Sequence, residues 1–210
     1  MEKTNRVELM ETIKDEVLNL KKSPLFQYRS KNKYFPVIGE GSYFADIVFI
    51  GEAPGRNEAK TGRPFCGTAG KVLDELLETA DIKREEVYIT NIVKDRPQEN
   101  RDPTQEEIKI YGPFLDRQLK IIKPKIVVAL GRYSMDYLME RFELKDELGP
   151  IGKLHGKYFD AKASFGNIKI VILYHPCVAV YNASQKDCLK KDFKILKKLL
   201  KEIKKKNGRK

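Results

Sequence analysis

Apolar residues along the chain fall into two patterns. Four short runs, at 47–50, 87–90, 126–130 and 168–173, have strand length and are almost unbroken in Val, Ile and Leu. Five longer stretches, at 7–20, 69–80, 104–123, 133–142 and 184–203, instead repeat apolar residues at helical spacing. In the first of these Leu9, Ile13, Val17 and Leu20 recur, and in the last Leu189, Phe193, Leu196, Leu200 and Ile203. Thr104 with Glu107 predicts a capping box, Asp102 and Pro103 being alternative start signals, and Pro113 predicts a kink or interruption downstream. Residues 23–42, punctuated by Pro24, Pro36, Gly39 and Gly41, read as irregular chain.

Strands continuous in Val, Ile and Leu are buried on both faces, which suits a parallel sheet covered by helices. The alternation therefore predicts an α/β domain of three layers, α/β/α, with right-handed crossovers around a central, mainly parallel four-stranded sheet. No repeat or low-complexity linker divides it. The expected organisation is one domain over 1–203 and a frayed basic tail over 204–210.

Composition narrows the class. Of 210 residues, 41% are hydrophobic and 34% charged, a globular and not a disordered mixture. The apolar runs are far shorter than the roughly 20 residues of a membrane span, and residues 1–22 are too polar for a signal peptide. Cys66, Cys177 and Cys188 offer neither a disulfide framework nor metal-ligand spacing, so the cytoplasm is the expected compartment. Charge changes the picture more. Residues 186–210 hold 12 Lys and Arg against three acids and so carry +9 of the net +11. A polyanion partner and a solvated helix face both fit this.

In open parallel sheets, ligands bind beyond the carboxyl ends of the strands. The endings here are Gly51-Glu52-Ala53-Pro54-Gly55, Asn91, Gly131 and His175-Pro176, and three polar or glycine-rich endings are expected to converge on one cleft. The stretch 52–67, with Gly55, Gly62 and Gly67, can bring backbone N–H groups close to an anion or a planar ligand. It matches neither a Walker loop nor G-x-G-x-x-G, and a tight turn without a ligand competes equally.

The longer string GEAPGRNEAKTGRPF is distinctive, and the chain resembles the family 4 uracil-DNA glycosylases, the thermostable prokaryotic branch of the uracil-DNA glycosylase superfamily. The resemblance runs from about Ser23 to Phe193. It rests on Ser23-Pro24-Leu25, Gly39-Glu40-Gly41, 51–55 with Glu58, Gly62-Arg63-Pro64-Phe65, 88–94 (YITNIVK) and Arg96-Pro97. Farther on it rests on 100–104 (NRDPT), Arg117-Gln118-Leu119, 124–131 (PKIVVALG) and Tyr174-His175-Pro176. It implies a DNA glycosylase that hydrolyses the C1′–N1 bond of uracil, leaves an abasic site and works in base excision repair. Asn91 would pair with the Watson–Crick edge of the flipped base. Phe65 would stack on that base, the backbone of Gly51, Glu52 and Ala53 would border it, and a neutral His175 would donate to uracil O2 as charge develops. Taken singly, Asn91 reads as a turn former, Phe65 as core and His-Pro as a loop; together at one sheet edge they read as a site. Some branches carry Asp where Ala53 stands. Glu52 and Glu58 are therefore the candidates to position water, Glu58 being equally able to anchor the glycine-rich loop.

The resemblance also implies four cysteines around an iron–sulfur cluster, and here the sequence departs. Leu20, Ser23, Asp95 and Tyr111 stand at those positions and none supplies a thiolate, so no cluster, metal or other cofactor is expected. Packing is expected instead, with Leu20 and Tyr111 facing across the gap and Ser23 and Asp95 at its rim. A relative that traps DNA covalently has an inserted basic loop with a histidine, absent from 94–104, so ordinary turnover is expected. His155 stands where relatives often have Arg-Gly and reads as a phosphate contact or loop residue; Arg63 is a further expected DNA contact. In the segment after His175-Pro176, Val180 or Tyr181 is expected to wedge into the duplex. The usual Leu-Arg pair is missing, which favours single-stranded substrate.

The leading expectation is a monomeric, monofunctional enzyme whose partner is uracil-containing DNA, single- or double-stranded, with no membrane partner. The alternatives are the same chemistry on hypoxanthine or xanthine, or a non-catalytic binder of damaged DNA. The terminal lysines would attract phosphates nonspecifically, and base choice would come from the nearly neutral body.

Overall fold

The computed structural model describes residues 3–207. Its elements are α1 (Lys3–Leu18), α2 (Phe26–Lys31), β1 (Glu40–Gly41), β2 (Ile47–Gly51), α3 (Arg56–Thr61), α4 (Thr68–Thr79) and β3 (Tyr88–Asn91). There follow α5 (Gln105–Ile122), β4 (Ile126–Leu130), α6 (Arg132–Arg141), α7 (Ile151–Leu154), β5 (Lys157–Ala163), β6 (Gly166–Leu173), α8 (Cys177–Tyr181) and α9 (Lys186–Asn207).

Period-2 alternation splits each central strand between two cores. Val48, Ile50, Val127, Ala129, Ile170 and Ile172 face a layer built by Met10, Ile13, Val17, Leu115, Leu119, Met135 and Leu138 of α1, α5 and α6. Ile47, Phe49, Ile126, Val128, Val171 and Leu173 face the opposite layer, with Leu73, Leu76, Leu77, Ala179, Leu189, Phe193 and Leu196 of α4, α8 and α9. Three layers result, because neither face of the sheet can be left in water.

The sheet has six strands and not four, in the order β1-β3-β2-β4-β6-β5. The four expected strands are its parallel centre, with β2 between β3 and β4, and β6 beside β4. β1 and β5 add antiparallel edges. β1 is two residues long, and β5 (KYFDAKA) is mostly exposed or half-buried, so neither carries the apolar run of a central strand.

Several boundaries also move. The stripe of α1 is Met10, Ile13 and Val17, while Leu9 is exposed and Leu20 lies buried beyond the helix end. Short helices occupy part of the stretch read as irregular and of the glycine-rich loop, α2 within 23–42 and α3 within 52–67. Thr104 and Glu107 form the capping box, and α5 continues through Pro113 without interruption. Pro113 lacks the N–H that would pair with the Lys109 carbonyl, and both residues lie on the exposed face, where that carbonyl is not shut away from solvent. α9 buries Leu199 together with Leu189, Phe193 and Leu196, leaving Leu200 and Ile203 partly buried. It runs to Asn207, past the expected boundary at 203; residues 208–210 of the expected tail lie outside the described residues.

Candidate active site

From β2 the chain crosses to β3 on one side, and from β4 to β6 on the other. Where neighbouring parallel strands send their connections in opposite directions, their carboxyl ends leave a crevice. A cleft of about 720 Å³ opens there, lined by Glu52–Glu58, Phe65, Asn91, Leu130, Gly131 and His175. Residues from all four strand endings thus reach one place, where three were expected.

At its floor the end of β3 meets the end of β2. The backbone N–H groups of Ile92 and Val93 donate to the carbonyls of Gly51 and Glu52, each at 3.0 Å. Asn91 is only 2% exposed. A Cβ on Gly51 would stand 2.3 Å from Asn91 Oδ1 and 2.9 Å from Phe65 Cζ, so glycine there leaves the room in which these two side chains sit. Phe65 takes a left-handed backbone conformation, φ +48°. Arg84 holds it through the Pro64 carbonyl at 2.8 Å, and Gly70 lets α4 approach so closely that a Cβ would lie 1.9 Å from the Phe65 oxygen. Such strain in a non-glycine residue persists only where its surroundings enforce it.

His175 stacks against Phe65, with ring centroids 5.4 Å apart at 29°. Its Nδ1 accepts the Cys177 backbone N–H at 3.2 Å. Burial pushes the imidazole down to about 4, so it is neutral at neutral pH, and the bond at Nδ1 assigns the remaining proton to Nε2. Glu58 Oε1 accepts the backbone N–H groups of both Cys66 and Gly67 at 3.0 Å, the loop-anchoring alternative in structural form. Glu52 lines the cleft with no such partner; burial, reinforced by Asp102 and opposed by Arg132, pushes its carboxyl up to about 7. Ala53 lines the same wall.

The expected DNA contacts separate. Tyr181, on α8, lines the cleft mouth and is 87% exposed; Val180 beside it is exposed but outside the lining. Arg63 forms a two-point pair with Glu40 at 2.8 and 3.1 Å, and His155 bonds Asp192; neither lines the cleft. Residues without an assigned role in the sequence also reach the mouth: Asn100, Arg101, Asp102, Arg132 and Tyr133, with Tyr133 donating to Asp102. Arg132 directly follows a strand ending, the signal that could have found it.

Lys94 was likewise missed. It is fully buried, and its Nζ donates to Thr90 Oγ1 and the Asn91 carbonyl at 2.7 Å and to Gln118 Oε1 at 2.6 Å. Burial holds its amine well below the ordinary lysine range, and three acceptors brace the end of β3 around it.

Away from the cleft, Ser23, Asp95 and Tyr111 do meet, but Ser23 and Asp95 are buried and not at a rim. Ser23 Oγ lies 2.8 Å from the Tyr111 hydroxyl, which donates to Asp95 at 2.6 Å. Arg29 bridges both Asp95 oxygens at 3.1 Å, and Leu20 is buried with them in the core. Hydroxyl, phenol, carboxylate and isobutyl groups filled by their own hydrogen bonds and contacts do not fit an iron–sulfur cluster.

The family model described as the uracil DNA glycosylase superfamily matches residues 38–204. A type-4 uracil-DNA glycosylase of Sulfurisphaera tokodaii is 44% identical over 90% of this chain and 84% of its own length. Those of Saccharolobus solfataricus and Archaeoglobus fulgidus are 43% and 38% identical, over 91% and 92% of this chain and 86% and 94% of their own lengths. These matches take in every strand that builds the cleft, and the chain belongs to the uracil-DNA glycosylase superfamily, in its type-4 branch.

Proposed function

We propose that this protein excises uracil from DNA and that the cleft at the strand ends is where it does so. The observation that carries the reading is the Phe65–His175 stack beside a buried Asn91, with the imidazole proton assigned to Nε2. Uracil slides over the Phe65 face. Aromatic stacking accepts any base, so selection falls to the Asn91 amide, whose pairing with O4 and N3–H separates uracil from cytosine.

As the C1′–N1 bond breaks, its electron pair goes to N1 and spreads onto O2. Nε2–H of the neutral His175 donates there, a preorganised donor aimed at charge that develops only in the transition state. The sugar becomes oxocarbenium-like, with nearby DNA phosphates opposing its charge. Water adds its oxygen to C1′, and Glu52, with its carboxyl poised at about 7, orients that water and receives its proton. The products are free uracil and an abasic site. Glu58 acts through the loop, holding Phe65 in place by its two backbone bonds.

Tyr181 enters the space left by the flipped base, and Val180 supports it. With no Leu-Arg pair at this position, single-stranded uracil, which costs least to extrude, is the preferred substrate. We further propose that the protein works as a monomer in the cytoplasm, beside the nucleoid, on one domain that needs no cofactor. Among the described residues no helix is long and apolar enough to cross a membrane.

Release of uracil from a uracil-containing oligonucleotide, read as alkali-sensitive strand cleavage, is the test. No cleavage of either single-stranded uracil or U:G at micromolar enzyme would overturn the reading. H175A should abolish cleavage and spare DNA binding, which separates catalysis from damage recognition alone. N91D should shift the base preference.

A further inference from the structure

On the sheet face that carries α9, three side chains of different chemistry converge outside the cleft. A ring nitrogen of His155, Cys188 Sγ and an Asp192 carboxylate oxygen all lie within 4.8 Å of one another, and all three residues are half-buried. Cys188 and Asp192 are four apart on α9, so one helix face presents both. His155 comes from the turn between α7 and β5, and its ring is fixed by stacking on Tyr174, with centroids 4.3 Å apart. Its Nδ1 faces Asp192 Oδ2 at 2.6 Å. Gly156, at φ +74°, brings this turn so close that a Cβ would sit 2.7 Å from Asp192 Oδ1. Backbone and ring orientation thus hold three donors together with solvent on the remaining side.

We propose that His155, Cys188 and Asp192 form a binding site for one divalent ion of the zinc class, clipping α9 to the turn before β5. The donor set decides the class. A thiolate and an imidazole select zinc or cobalt over magnesium and calcium, which take oxygen ligands almost exclusively. Charge agrees: one thiolate, one carboxylate and a neutral imidazole balance the two positive charges, and the cation Lys191 stays outside the donor set. Without the ion, a proton occupies the His155–Asp192 contact. On binding through Nδ1, the imidazole carries its proton on Nε2 instead, the thiol proton leaves to solvent, and water takes the open fourth position. The site is independent of the reading of the cleft.

The test uses the full-length, metal-stripped protein titrated with Co²⁺ and then with Zn²⁺. One equivalent of Co²⁺ should produce a near-ultraviolet thiolate-to-cobalt charge-transfer band, bleached by stoichiometric Zn²⁺. The band should vanish in C188S and persist in C66S and C177S. D192N should weaken Co²⁺ binding by more than the roughly 10–100-fold typical of outer-shell changes. Zinc about 100-fold above Kd should raise Tm by about 5–10 °C in the parent and not in C188S. The metal-free Tm of each variant, close to that of the parent, serves as the folding control. Absence of the band at one equivalent, its survival in C188S, or its loss in C66S or C177S would each overturn the site.

Discussion

The tightest constraint in the cleft is the absence of one carbon. Gly51→Ala adds a methyl whose position is 2.3 Å from Asn91 Oδ1 and 2.9 and 3.0 Å from two Phe65 ring carbons. Comfortable separations are about 3.5–4.0 Å between carbons, so the methyl intrudes by about 0.5–1 Å on Phe65 and by somewhat more than about 1 Å on Asn91. Both are held by packed neighbours over most of their surface, Asn91 being 2% and Phe65 7% exposed. Gly51 has no left-handed backbone angle, so the penalty is one of contact and not of strain in φ. Overpacking of this size costs about 1–3 kcal/mol, which for a chain of this length lowers Tm by about 2–12 °C. The rate should suffer more. Displacing the Asn91 amide, proposed to read the base, by about 1 Å costs on the order of 10²-fold, equivalent to about 2.7 kcal/mol of transition-state stabilisation. The assay is single-turnover uracil release from single-stranded oligonucleotide below the new Tm, with N91A and the G51A/N91A double variant alongside. If the methyl acts through Asn91, the double variant loses little beyond N91A. A G51A enzyme within about threefold of the parent, a difference under about 0.7 kcal/mol, would refute the geometry on which the base pocket rests.

Other consequences are independent. Glu52 keeps its proton to about 7 when folded, so kcat/KM should rise with pH through that value, and E52Q should lose this limb along with most of the rate. The same group binds a proton more tightly folded than unfolded; its contribution to stability is present below pH 4.5 and lost as pH rises through about 7. Above that, E52Q should be more stable than the parent by at most about 3 kcal/mol, measured by denaturant midpoint at two pH values. Arg29 and Asp95 are 7% and 0% exposed, so R29M strands a buried carboxylate and should cost about 3–5 kcal/mol, whereas R29L/D95L should recover most of it; a loss under about 1 kcal/mol in R29M contradicts the staple. E58A removes the acceptor of two backbone N–H groups and should lower kcat/KM by about tenfold, chiefly through KM, since loop order and not proton transfer is lost. K194A/K198A/K201A should flatten the salt dependence of DNA binding by about one to three units of slope and leave uracil preference intact; an altered preference there argues against the division of labour.

Much of this was legible in the linear pattern. The four apolar runs are the parallel centre of the sheet, and the rule that ligands gather at strand ends brought Glu52, Asn91, Gly131 and His175 to one cleft. Two edge strands were not legible, because an edge needs no continuous apolar run: β5 mixes lysine, aspartate and alanine with two adjacent half-buried aromatics. Lys94 was invisible for the opposite reason. A lysine in sequence reads as solvent-facing, and only the three acceptors that meet its Nζ make full burial tolerable. Ser23 and Asp95 likewise read as rim residues until Arg29 and Tyr111 supplied the partners that let them lie inside.

The order of the four central strands and the five long helices, the three layers and the residue types at each strand ending follow from the sequence alone, since periodicity and strand-end chemistry are local properties. Tertiary structure decided what each titratable group is for. The same letter, Glu, anchors a loop at 58 and stands with a raised pKa at 52, and which it does depends on whether backbone donors or desolvating walls surround it. His175 holds its proton on Nε2 because Cys177 faces Nδ1, and His155 meets a cysteine and an aspartate because α9 folds back across the sheet. Protonation and ligation are set by neighbours a few ångströms away in space, some adjacent in sequence and others more than thirty residues distant.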